Sequence, residues 1–248
     1  MRAGTNVDVA AHANRTSKQS SIVKAGAELL ATFFVTLVAT LVDVLYYTRT
    51  GDVDFVSRWL ARGFITAAMI YAFSGISGAH LSPAVSFAFT LRRAMPAAQM
   101  LLYVVAQLGG GLFAALLVFA MWGHAVALGA SHPGPQFTPS EAAIAEAICT
   151  FLLTIVILAT AEEEAAVGRQ AAIAVGFTVA ACGFFAGPIS GASMNPARSI
   201  PPQILAGAYD LIWIYALAPC AGAALAVCAI AFFTPRPAAG ERKAGRGA

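Results

Sequence analysis

From Gly63 to Leu91 the chain carries no Lys, Arg, Asp or Glu. A helix crosses a bilayer with about 20 apolar residues, so this stretch is long enough to span one. Its middle, SGISGAHLSPAVS at residues 74–86, nevertheless makes poor helix, because Gly, Ser and Pro cluster there. Irregular backbone at membrane depth is tolerated only where it is buried in protein or lines a wet cavity. The chain must therefore surround this segment with spans of its own. Its composition allows that: 59% of the 248 residues are apolar and 11% are charged, where a soluble domain carries roughly 25% charged residues. The length accommodates roughly six spans with their connections. These proportions exclude a soluble enzyme, a disordered protein and a DNA-binding module. A net charge of +3 is too small to point to nucleic acid. Cys149, Cys182, Cys220 and Cys228 lie in apolar stretches without metal-ligand or redox spacing, and read as small hydrophobes.

The spans are expected at about 24–46, 59–77, 97–122, 141–161, 168–187 and 209–233. Residues 1–23 read as a polar tail, not a cleaved signal, and 234–248 as a basic one. Lys and Arg at 2, 15, 18 and 24, at 92 and 93, at 169, and at 236, 242, 243 and 246 all fall on one side of a six-span arrangement. The opposite side holds only Arg49 and Arg58, with Arg62 and Arg198 near it. The positive-inside rule then puts both termini in the cytoplasm.

The chain also repeats itself. Ala27-Glu28-Leu29-Leu30-Ala31-Thr32-Phe33 returns as Ala145-Glu146-Ala147-Ile148-Cys149-Thr150-Phe151, an offset of 118. Ser77-Gly78-Ala79-His80-Leu81-Ser82-Pro83-Ala84-Val85-Ser86 returns as Ser190-Gly191-Ala192-Ser193-Met194-Asn195-Pro196-Ala197-Arg198-Ser199, an offset of 113. Each half, about 24–122 and 141–233, holds three spans, so the second enters the membrane from the other face and the repeats are inverted. Ser82 and Asn195 each precede Pro-Ala and an apolar run, the pattern of an N-cap followed by Pro at the first helical position. Two short helices, about 82–91 and 195–204, are expected to start mid-membrane with their positive dipole ends facing one another. Such a junction opposes cations and protons.

These paired segments resemble the NPA motifs of the aquaporin, or major intrinsic protein, family. Ala27-Glu28, Ala145-Glu146 and the run from Tyr103 to Gly109 extend the similarity over about residues 22–233. The resemblance implies an all-α membrane protein, with six transmembrane helices and two re-entrant half-helices in an inverted repeat. It also implies a homotetramer in the plasma (inner) membrane that passes water or small neutral solutes down a gradient. It implies roles for individual residues as well. Ser82, Pro83, Ala84, Asn195, Pro196 and Ala197 form the pore motifs, and Glu28, Glu146, His80 and Gln107 support the re-entrant loops. Arg62, Gly183, Ala192 and Arg198 line the narrowest constriction.

Four of these positions depart from the family pattern. Gly183 and Ala192 lack bulk where water-selective members place larger side chains, so a wider constriction is expected, open to glycerol, urea or metalloid acids. Arg62 either enters the pore, where two guanidiniums would oppose cations and bind anions, or snorkels outward beside Arg58. Ser82 offers one donor where Asn offers two. No cofactor, metal set or catalytic constellation is evident, and the chain reads as a non-enzyme whose surroundings are lipid. A secondary active transporter built on inverted repeats is the alternative from another class, and a strict water channel is the alternative within the family.

Overall fold

The computed structural model describes residues 19–48, 53–160 and 170–233. Most of both expected tails, Arg49, Arg169 and the acidic run 162–164 lie outside the described residues. Among the described residues the regular structure is helical throughout. In chain order it comprises α1 (Ser21–Thr48), α2 (Phe55–Ser77), α3 (Pro83–Leu91), α4 (Ala97–Trp122), a 3-10 turn (Gly123–Ala125), α5 (Val126–Gly129), α6 (Pro139–Thr160), α7 (Ala171–Ser190), α8 (Pro196–Ala206) and α9 (Ile212–Phe233). Six of these, α1, α2, α4 with its 3-10 turn, α6, α7 and α9, are long and apolar enough to cross a membrane.

The spans are built inside-out relative to a soluble bundle. On α1 the buried stripe runs Glu28, Ala31, Thr32, Val35, Thr36, Ala39, Thr40, Asp43, at helical spacing, and α6 repeats it with Glu146, Cys149, Thr150, Leu153 and Thr154. Small and polar side chains face inward, while Leu30, Phe34, Ile148 and Leu152 face outward. Lipid solvates large apolar groups, so the inner face is chosen for close backbone approach and hydrogen bonding instead.

The two halves pack as a symmetric set. α1 lies most extensively against α4, and α6 against α9 in the same way, while α2 lies chiefly against α7. Glycine makes these contacts possible. A Cβ on Gly110 would strike the Leu29 carbonyl, and one on Gly222 would strike the Ala147 carbonyl. Gly63 and Gly176 press against each other's carbonyls where α2 meets α7. The short helices exchange sides: α3 lies chiefly against α9, through Ala84, Ala88 and Ala223, and α8 chiefly against α4.

Local signals explain the ends. Asp54 caps α2 by accepting from Ser57 N at 2.7 Å, while its own N–H donates to Ser57 Oγ at 3.1 Å. The Ser57 backbone N–H holds the Asp54 carboxyl below its ordinary pKa. Gly78 (φ +89°) ends α2 and Gly191 (φ +82°) ends α7 in the left-handed region. The end of α7 differs from expectation. α7 continues through Pro188 to Ser190 instead of stopping near 187, because Ile189 O accepts from Gly134 N at 3.0 Å and Ser190 Oγ is held by Glu146. α8 accommodates Pro201 and Pro202. Pro201 cannot donate to the Ala197 carbonyl, and that carbonyl instead abuts the bare Cα of Gly111.

Candidate functional site

The two re-entrant loops are held by one carboxylate each. Glu28 is fully buried. Its Oε1 accepts from Ser77 Oγ at 2.6 Å and His80 N at 2.9 Å, and its Oε2 accepts from Leu81 N and Gln107 Nε2, both at 2.8 Å. Glu146 does the same in the second half, where Oε1 accepts from Ser190 Oγ and Ser193 N at 2.8 Å and Oε2 from Met194 N at 2.7 Å. Tyr103 and Tyr215 donate to the carbonyls of Ser77 and Ser190, each at 2.7 Å. The loop residues need this restraint. Ala79, Leu81, Ala192 and Met194 all hold positive φ, which costs about 1–2 kcal/mol for a residue with a Cβ.

The loops deliver two helix N-termini to the centre of the fold. Ser82 Oγ accepts from Ala84 N at 3.3 Å and Asn195 Oδ1 from Ala197 N at 2.9 Å. Pro83 and Pro196 occupy the first helical positions. Asn195 Nδ2 also donates across to Leu81 O at 2.7 Å, tying the loops together. Ser82 makes no counterpart bond to Met194, because its hydroxyl is too short to imitate the amide.

Beyond this shared frame the halves diverge. In the first, His80 Nδ1 lies 3.1 Å from Ser86 Oγ and its ring stacks on Phe89, while Gln107 bridges Glu28 and Ser86. In the second, Ser193, Ser199 and Ser131 form a hydroxyl chain that ends on Arg198. Gln203 Nε2 fixes Ser131 O at 2.9 Å. One half is sealed around a histidine and the other is wired to an arginine.

The arginine side gathers four charged side chains in one buried cluster. Asp43 Oδ1 accepts from Arg58 Nε at 2.6 Å. Its Oδ2 accepts from Arg198 Nη2 at 2.7 Å and also from Arg62 Nη2. Arg62 Nη1 donates to Gly191 O at 3.0 Å, and its guanidinium lies 4.2 Å from the Trp59 ring centroid. The Arg62 side chain thus turns inward to meet Arg198 instead of snorkelling to the outer surface. Asp43, Arg58 and Ser131 were not among the expected site residues. A cavity of about 240 Å³ opens on this cluster, with Asp43, Arg58, Ser131, His132 and Arg198 on its wall.

The other two constriction candidates sit nearby. Ala192 is buried in an apolar cluster with Trp59 and Met194. Gly183 corrects an expectation. Its missing side chain does not leave open space, because the Trp59 indole lies where a Cβ would project. Bulk absent from α7 is supplied from α2. Among the described residues no group of three His, Cys, Asp or Glu is placed to hold a metal ion.

The sequence profile of the family described as Major intrinsic protein matches residues 15–230. NIP4-1 of Arabidopsis thaliana is 41% identical over 199 residues, covering 79% of this chain and 69% of its own length. Aquaporin NIP1-4 of Oryza sativa subsp. japonica is 39% identical over 202 residues, covering 80% and 72%. Among solved structures, the X-ray structure of the aquaglyceroporin from Plasmodium falciparum shares the fold with a TM-score of 0.76 at 23% identity, over 84% of this chain and 95% of that one.

Proposed function

Because the chain belongs to the major intrinsic protein family, the membrane channels for water and small neutral solutes, we propose that its path runs between the tips of α3 and α8. We place the narrowest point where Arg62 and Arg198 meet beside Gly183 and Ala192. The observation that carries this reading is the shared carboxylate: Asp43 Oδ2 holds both guanidiniums together at one level of the fold. Paired arginines oppose cations and offer N–H donors to a neutral solute stripped of water. The solutes we assign are water, urea, small polyols and uncharged metalloid acids, a range that rests on family membership and not on open space at Gly183, which the Trp59 indole fills.

Glu28 and Glu146 brace loops in this reading and carry no coupling ion. Loop N–H and hydroxyl donors occupy their oxygens, which argues against the active-transporter alternative. The two repeats, about 24–122 and 141–233, form the channel, and 1–23 and 234–248 are its cytoplasmic tails. We place a homotetramer in the plasma (inner) membrane. Gly110, Gly111 and Gly222 are used for contacts within the chain, so the tetramer rests on family membership and is tested by native mass spectrometry.

Stopped-flow swelling of proteoliposomes in glycerol, urea and arsenous acid tests the solute range. Permeation by water alone would sink the wider assignment. Arg62→Phe is expected to change the ratio of urea to water permeability by roughly tenfold, about 1.4 kcal/mol. An unchanged ratio would remove Arg62 from the constriction.

A further inference from the structure

Arg58, Arg62 and Arg198 all bond Asp43, and among the described residues no other carboxylate pairs with any of them. All four residues are more than nine-tenths buried. Three guanidiniums against one carboxylate leave two positive charges without a carboxylate of their own in contact. Burying unpaired charge is costly, and neither Asp43 oxygen is free to answer more of it.

The surplus has a direction. Arg58 uses only its Nε on Asp43. Neither of its Nη nitrogens has a hydrogen-bond partner among the described residues, although Arg58 lines the cavity of about 240 Å³. The rings of Tyr46, Tyr47 and Trp59 lie 4.7, 5.3 and 4.6 Å from its central carbon. They offer it their faces but no acceptor in the plane of its N–H groups. Trp59 Nε1 and Arg62 Nε are also without partners, but they are buried behind Arg58 and off the cavity wall. On the same cavity wall Arg198 and Ser131 present further polar groups.

We propose that this cavity is a binding site for one small planar oxyanion of the carboxylate or nitrate type, held at the free edge of Arg58 with Arg198 beneath it. The two-oxygen edge of such an ion matches the guanidinium fork, as a spherical halide does not. Bound there, the anion pairs one of these two charges and stands over Arg198, so it slows neutral solutes entering from that side. The block rests on the channel reading, and the binding does not.

The full-length protein in detergent is heated with sodium formate, sodium nitrate or sodium chloride at matched ionic strength. Formate and nitrate are expected to raise Tm saturably and chloride is not. Arg58→Gln is expected to raise the half-effective formate concentration by about tenfold or more, and Arg58→Lys to restore only part of the response. An equal effect of chloride, no saturable shift, or a full response in Arg58→Gln would overturn the site. Should Arg58→Gln fail to fold, [13C]formate saturation-transfer NMR on the unaltered protein, with nitrate as competitor, decides the question. No saturation transfer would again overturn the site. Urea efflux from proteoliposomes is expected to slow with outside formate, and binding without slowing would overturn the block. Absence of urea efflux with no anion present would strike the wider solute assignment and leave the binding result intact.

Discussion

Asp43 serves three arginines with two oxygens, so losing it differs in kind from losing any one of them. Asp43→Asn would leave three buried guanidiniums facing one another around a neutral amide. Removing one partner of a buried ion pair costs about 3–5 kcal/mol, and the expected result is a fall in Tm of the detergent-solubilised protein larger than that of Arg58→Met. A smaller fall would mean that water already screens the cluster. Arg62 and Arg198 are legible through the family resemblance, Arg198 because it directly follows the second Pro-Ala pair. Nothing in the sequence marks Asp43, because its partners lie 15, 19 and 155 residues away and no local motif links them. The exchange of bulk between Trp59 and Gly183 was hidden for the same reason. The register of α2 against α7 decides which side chain fills the gap, and periodicity within either helix does not encode it. The sharper test is that Gly183→Ala alone destabilises the protein, while Trp59→Leu in the same chain recovers part of the loss, as thermal unfolding would record. Additive losses would separate the two residues.

The half-helices were legible because their starts are written locally: Ser-Pro and Asn-Pro, each ahead of an apolar run. The carboxylate brackets were legible through the family resemblance, since an ionisable residue repeated in apolar spans marks a functional group but does not by itself say which. Local punctuation misled at Pro188, where packing of the loop around Gly134 and the hold of Glu146 on Ser190 carry the helix onward. The symmetry of the brackets makes a quantitative claim. Glu28→Gln and Glu146→Gln each replace an oxygen acceptor by an amide that faces N–H groups. Each should cost about 2–3 kcal/mol by the loss of charge-assisted bonds, read as similar drops in Tm. A large loss at one and none at the other would break the equivalence. The same symmetry shows what Ser82 lacks. Ser82→Asn would supply an amide able to reach Met194 O, the mirror of the Asn195–Leu81 bond, and is expected to raise stability by about 1 kcal/mol. An unchanged Tm would mean that the loop of the first half cannot present its side chain across the junction.

Six spans and two half-helices fix which loops share a side, and charge asymmetry supplies the direction. Thr138→Cys is expected to react with a membrane-impermeant maleimide added outside intact cells, and Ala94→Cys only after permeabilisation. The opposite pattern would invert the proposed orientation. The exchange of short helices between halves also bears on how the molecule comes into being. α3 is made early, and Glu28 can tether its loop as soon as α1 and α2 are inserted. Its main wall, however, is α9, the last helix described. A nascent chain stalled before Ile212 therefore keeps one flank of α3 naked in lipid, with Ala84 and Ala88 uncovered. The wall around α3 closes when α9 has been made, not when the first three spans have entered the membrane.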